Sequence, residues 1–199
     1  VAAPTLFGVA DCGHVNVFKG TYVEGQVTAS GANLDRYTVQ PTGQTMIYRA
    51  ESVVYFVGTS GTTGEPALMR ARSDGADGYA TPEELVEGIE NLQLLFGLDS
   101  TAAITSTTPP TGNITTVAIA SGVSTGTNAA AAAQWRRVGQ VQVGILARSP
   151  QPSQAEAATD ALRYPRMLGV GFAPSTPNDA RYRAAYESTI ALRNRLFGN

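Results

Sequence analysis

Apolar residues in this chain come in short runs, and that limits the fold more than any other feature. Leu6–Val9, Val15–Phe18, Tyr22–Val27 and Tyr37–Val39 are bounded by Gly, Asn or Pro, as expected of short strands closed by turns. Thr45–Val57 (TMIYRAESVVYFV) adds two segments rich in β-branched and aromatic residues. Arg49, Glu51 and Ser52 separate them, which leaves open a tight hairpin or one bent strand. Gly58–Glu65 reads as a turn, Pro66–Arg72 as a strand running back, and Ser73–Gly78 as a polar loop. No run approaches the roughly 20 apolar residues of a membrane-spanning helix.

One segment reads differently. Thr81 offers an N-cap, Pro82 a first-turn residue whose missing N–H costs nothing, and Glu84 a capping box. Leu85, Val86, Ile89, Leu92 and Phe96 recur at helical spacing, and Gly97 supplies a stop. Glu83, Glu84, Glu87 and Glu90 lie towards the N-terminal end, where the helix dipole favours negative charge. The spacing predicts an amphipathic helix over 82–96, buried through Leu85, Ile89, Leu92 and Phe96.

Ser100 to Trp135 contains no charged residue and is rich in Thr, Ser, Ala and Gly. It reads as edge strands with long loops or as an irregular, partly mobile excursion over about 100–134 of one domain spanning 1–199. Trp135 opens the clearest strand, in which Val138, Val141, Val143, Ile145 and Leu146 alternate with Gln140, Gln142 and Gly144. Ser149–Asn178 reads as an irregular crossing. Arg181–Phe197 reads as a helical turn and then a strand, with Tyr186, Ile190 and Leu196 opposite Glu187, Arg193 and Arg195.

Composition narrows function by exclusion. Lys plus Arg is 14 and Asp plus Glu 16, a net charge of −2, so no basic excess exists to neutralise nucleic-acid phosphates. Charged residues make up only 15%, against about a quarter in typical domains, so charge-driven disorder is not expected. One His and one Cys exclude a Cys/His metal cluster and an internal disulfide framework. Lys19 is the only lysine.

Candidate chemistry is sparse. Cys12 and His14 flank Gly13, but a thiolate–imidazole pair needs an orienting group and an oxyanion pocket, and neither is legible. Cys12 reads equally as structural or as a thiol whose disulfide partner lies elsewhere. The glutamates of 83–90 are explained by capping. Asp74 and Asp77 in SDGADG lack the alternating ligands and closing Glu of a calcium loop. The Gly58–Gly64 turn has no Lys after its last Gly, so it is not a phosphate cradle. Asn113–Ile114–Thr115 is a glycosylation sequon by pattern. No catalytic, cofactor or metal site is assigned.

The order of the stronger motifs resembles a known family. A YFV strand (Tyr55–Val57) leads through a Gly-rich turn to PALMR (Pro66–Arg70), then ELVEGIENLQLLFGLD (Glu84–Asp99), WRRVGQVQVGILARS from Trp135, and STIALRNRL (Ser188–Leu196). This is similar to the PilW family of minor pilins in type IV pilus assembly, related to the J-type minor pseudopilins of type II secretion. Leu85, Val86, Gly88, Ile89, Leu92, Gly97, Trp135, Arg193 and Asn194 carry the resemblance.

The resemblance implies an α+β pilin-like head, an antiparallel sheet packed on the 82–96 helix, with an N-terminal polymerisation helix that this chain lacks. That helix would be its only link to the membrane: anchored in the inner membrane with the head in the periplasm, then extracellular at the pilus tip. It implies a structural subunit without cofactor or chemistry, which primes assembly with other minor pilins, the major pilin and a large tip adhesin. The alternative is an extracellular β-rich module binding carbohydrate or an adhesin, suggested by Thr/Ser-rich strands and Trp135.

Overall fold

The structure, a computed structural model, describes residues 5–38, 44–74, 78–105, 108–152, 165–173 and 179–192. Its chain divides into two compact units, one of Val1–Phe56 and Leu68–Leu85, the other of Val57–Ala67 and Val86–Asn199.

In the first unit, β1 (Leu6–Ala10), β2 (Val15–Val23), β3 (Gln26–Ser30) and β4 (Met46–Arg49) form an antiparallel sheet in the order β3-β2-β1-β4. Alternation places Phe7, Val9 and Phe18 on one face, where they are buried against Val27, Ala29, Leu34 and Tyr37. The β2–β3 turn falls at Glu24 (φ 46°) and Gly25 (φ 89°), two left-handed residues as a type I′ hairpin demands. The run Tyr22–Val27 therefore straddles a turn rather than forming one strand. Tyr37 lies in a loop, not a strand.

Thr45–Val57 does yield two strands, but neither as a hairpin nor as one bent strand. β4 pairs with β1, while β5 (Val53–Thr59) joins β6 (Pro66–Arg72) and β7 (Glu83–Glu87) in a sheet of order β5-β6-β7.

The expected helix over 82–96 does not form. The segment makes β7, a turn at Gly88 (φ 84°) and the eleven-residue β8 (Ile89–Asp99). Apolar residues recur at i+3 and i+4 there because β8 is a central strand with apolar neighbours on both faces, so its two period-2 sets interleave. Gly88 also makes tertiary contacts a helix would forbid: its N–H donates to Pro66 O (2.7 Å) and its C=O accepts from Arg148 N (2.8 Å). A Cβ at Gly88 would lie 2.7 Å from Arg148 O. Among the described residues the fold is thus predominantly antiparallel β with two short helices, not a sheet packed on one amphipathic helix.

The second unit is built on the sheet β13-β10-β8-β9, where β9 is Ile114–Ala118, β10 Val138–Arg148 and β13 Arg183–Ala191. Between β9 and β10 lie α1 (Ala120–Val123) and α2 (Ala129–Arg136), the latter capped by Asn128, whose side chain accepts from Ala131 N. Trp135 therefore sits in α2 and does not open a strand. Residues 165–172, within the expected irregular crossing, form a small hairpin of β11 (Arg166–Met167) and β12 (Val170–Gly171) around Leu168 (φ 50°) and Gly169 (φ 81°). A C-terminal strand forms over Arg183–Ala191, the expected continuation to Leu196 lies outside the described residues beyond 192, and the preceding 179–182 are not helical.

Candidate interaction face

Opposed residues in an antiparallel ladder share a face, so the register of the second unit's sheet sorts its side chains. Val141 lies opposite both Phe96 and Ile190, Val143 opposite Leu94 and Ser188, Ile145 opposite Leu92 and Tyr186. These residues, with Leu98, Val138 and Leu192, make up a nearly uninterrupted apolar first face. The second face carries Gln93, Leu95, Gly97, Gly144, Leu146 and Glu187.

The first face has two ends. At one, Leu98 and Val138 are buried with Val123 of α1, and Phe96, Val141, Leu192 and Trp135 pack against them. Trp135 meets Phe96 edge-on, ring centroids 5.1 Å apart at 84°, so the aromatic on which a carbohydrate-binding reading rests is part of this core. At the other end Leu92, Val143 and Ile145 are half-buried. Beside them Leu94 is 43% exposed, Tyr186 63% and Ile190 50%. This open apolar end is the candidate interaction face.

The second face is closed by the β11–β12 hairpin. A Cβ at Gly144 would sit 2.6 Å from Met167 Cγ and 3.0 Å from Leu168 Cγ, so glycine is what admits the hairpin. Leu168 N donates to Glu187 Oε1 (2.5 Å). A recess of about 130 Å³ remains among Leu95, Ile119, Met167, Val170 and Phe172.

Two polar clusters hold this unit. Glu90 of β8 lies between Arg148 and Arg183. Arg183 grips it with Nε (2.7 Å to Oε2) and Nη2 (2.9 Å to Oε1), and Arg148 Nη1 donates at 3.1 Å. Arg183 also forks onto Asp179 (2.9 and 2.6 Å), and Glu65 accepts from Arg181 Nη2 (2.7 Å) and Arg148 Nη2. Three carboxylates and three guanidiniums thus balance in charge. The Arg183 hydrogen bonds hold the Asp179 carboxyl below its usual range, and those it donates to Asp179 and Glu90 hold Arg183 above its own. Glu90 is a buried ion-pair partner, not a dipole-stabilising surface charge. Glu83, likewise expected on a helix, is bound by Arg70 (2.6 Å) in the other unit.

Asp99, 1% exposed, anchors the loop that follows β8. It accepts from Thr101 N (2.8 Å), Thr111 N (3.2 Å) and Gly112 N (2.7 Å). Burial pushes its pKa up, but the bonds from Thr101, Thr111 and Gly112 outweigh this and lower it to about 2. Arg137 donates to Asp99 O through Nε and Nη2.

The residues singled out in the sequence are not gathered into one site. Leu85 and Val86 are exposed on β7, Gly88 makes the turn, and Ile89 is buried at the start of β8. Leu92 borders the open end. Gly97 faces Ile114 and Gln140, where a Cβ would come within 2.8 and 2.9 Å. Arg193 and Asn194 lie outside the described residues, as does Asp77. Cys12 is an exposed free thiol whose Sγ donates to Gln44 Oε1 (2.7 Å). Asp11 accepts from Gly13 N and His14 N, and these bonds, that from Gly13 foremost, lower its pKa. No group of three or more metal-ligating side chains occurs among the described residues, and none of their helices is long and apolar enough to cross a membrane. Leu94 escaped the helical reading, although Leu92, Leu94, Phe96 and Leu98 alternate plainly at i+2.

The profile of the family described as Type IV Pilus-assembly protein W matches residues 54–194, more than half of the chain. The chain belongs to this family. The matched span opens in β5 and takes in all of the β13-β10-β8-β9 sheet, including the open apolar end. The PilW-family chain is also similar to a solved type IV-like pilin, TTHA1219 from Thermus thermophilus. Identity there is 14%, covering 98% of this chain and 86% of that one, at a TM-score of 0.35, a likeness too loose to carry an argument. No curated protein matches the chain.

Proposed function

We propose that this PilW-family chain is a structural minor pilin that helps prime type IV pilus assembly and joins the complex at the pilus tip. Its partners are other minor pilins, the major pilin and a large tip adhesin; it performs no catalysis. Its head works in the periplasm and then outside the cell, tethered until assembly by an N-terminal helix of the kind the family implies.

The observation that carries this reading is the family match over a sheet whose first face is apolar but open at one end. Leu94, Tyr186 and Ile190 expose apolar surface on rigid strands, and contiguous apolar surface of this kind marks protein contact sites. Deleting the gene and counting pili tests the proposal. Loss of piliation, restored by the wild-type gene but not by Leu94→Asp, is the expected result; normal piliation without the gene contradicts it.

A further inference from the structure

The outer side of β13 presents backbone hydrogen-bonding groups in a fixed alternation. Among the described residues β13 is an edge strand paired to β10 alone. Its ladder is tied at the ends by Leu192 N to Gly139 O and by Ser149 N to Tyr182 O, both 2.8 Å. Antiparallel pairs alternate between exchanging hydrogen bonds and not, so the even-numbered residues from Tyr182 to Leu192 direct their backbone groups at β10. Ala185, Glu187, Thr189 and Ala191 direct theirs outward, where no strand is paired among the described residues.

Edges of this sort are usually blunted by lysine, proline, a bulge or an inward-pointing charge. β13 runs nine residues without Lys or Pro and without a shift in register. Its one mid-strand charge, Glu187, is turned over the second face onto Leu168 N. The strand is an available template.

We infer that β13 is a pairing edge whose occupant is the β13 of a second copy of this chain. The argument for a copy is self-complementarity. Laid antiparallel on itself with Ser188 at the two-fold axis, the strand sets Ala185 opposite Ala191 and Glu187 opposite Thr189, so every outward N–H and C=O from 185 to 191 meets a partner. Tyr186 then faces Ile190 in the closer, non-hydrogen-bonded pairs, an aromatic on a β-branched residue. Both lie on the first face, so the apolar surface runs on across the dimer. Moving the axis to Glu187 would set two like charges opposite one another.

Cysteine cross-linking in a Cys12→Ala background tests the register, alongside sedimentation of the 199-residue chain. At the axis Ser188 meets its own counterpart in a non-hydrogen-bonded pair with Cα atoms roughly 4.5 Å apart, within disulfide reach. Ser188→Cys is expected to give a disulfide-linked dimer under mild oxidation, and Thr189→Cys, which faces Glu187, to form no disulfide across the dimer. Thr189→Pro removes an outward N–H without touching the β10 ladder and is expected to abolish the concentration-dependent dimer with circular dichroism unchanged. A chain that sediments as a monomer at all concentrations overturns the inference. So does a dimer in which Ser188→Cys cross-links no better than Thr189→Cys, a readout that stands even where Thr189→Pro fails to fold.

Discussion

At one end of the sheet's first face Leu98, Val138 and Phe96 lie under α1 and α2; at the other Leu92, Leu94, Val143, Ile145, Tyr186 and Ile190 reach towards solvent. The strands are the same and the side chains are of the same kinds. What differs is the cover, and the cover comes from residues 120–135, a charge-free, Ala-rich segment that follows an edge strand. Apolar alternation therefore specifies which side of a strand faces protein, but not whether that protein belongs to the same chain. Under the proposed function, the open end is the surface left for another subunit.

Substitutions at four positions separate the ends and the polar clusters that brace them. Glu90→Gln should be the most damaging: it leaves Arg148 and Arg183 buried with half their counter-charge, a loss of about 3–5 kcal/mol readable by urea denaturation. Little change in the midpoint would mean the cluster is solvated and does not brace the sheet. Leu98→Ala at the covered end should cost about 2–5 kcal/mol through lost burial and a cavity. The same truncation measured at Leu94 should cost clearly less, and equal losses would erase the distinction between the ends.

Asp99→Asn weakens a charge-assisted anchor and should cost about 1.5–3 kcal/mol. The pH dependence has a definite sign. Asp99 titrates at about 2 when folded against an ordinary value of 3.8, so its contribution is present above pH 3.8 and is lost as pH falls through about 2. The acid limb of a melting-temperature profile should be shallower in Asp99→Asn than in the parent. Identical limbs would place the acid sensitivity elsewhere, with Asp179 and its arginine partners first in line. The smallest effect is expected at the open end, where Leu94→Asp should shift stability by no more than about 0.5 kcal/mol.

Much of the strand framework is legible in the sequence. β1, β4, β5, β6, β10 and β13 each fall where short apolar runs or alternation put them. β8 is misread because a two-sided strand imitates a helical stripe, and because Thr81, Pro82 and Glu84 form a plausible cap. Gly88, inside the run, weighs against a helix there. Trp135 is misplaced for the opposite reason: Asn128 ahead of Ala129–Ala133 is a usable N-cap before a strong helix former, but the strand alternation that follows conceals it. The ion cluster is not legible, since Glu65 and Arg181 are 116 residues apart and only the fold makes them neighbours. The open end is half legible, because Val143, Ile145, Tyr186 and Ile190 read as one-sided strands whose covering element the sequence does not identify.

The central claim is that the open end of this face is an interface rather than unfinished core. Co-purification of the protein with the other pilus-assembly proteins from pilus-assembling cells, wild type against Leu94→Asp, tests it most directly. The account predicts that Leu94→Asp folds with an unchanged melting temperature and loses those partners. Retention of the partners at wild-type levels, with the head still folded, would contradict it.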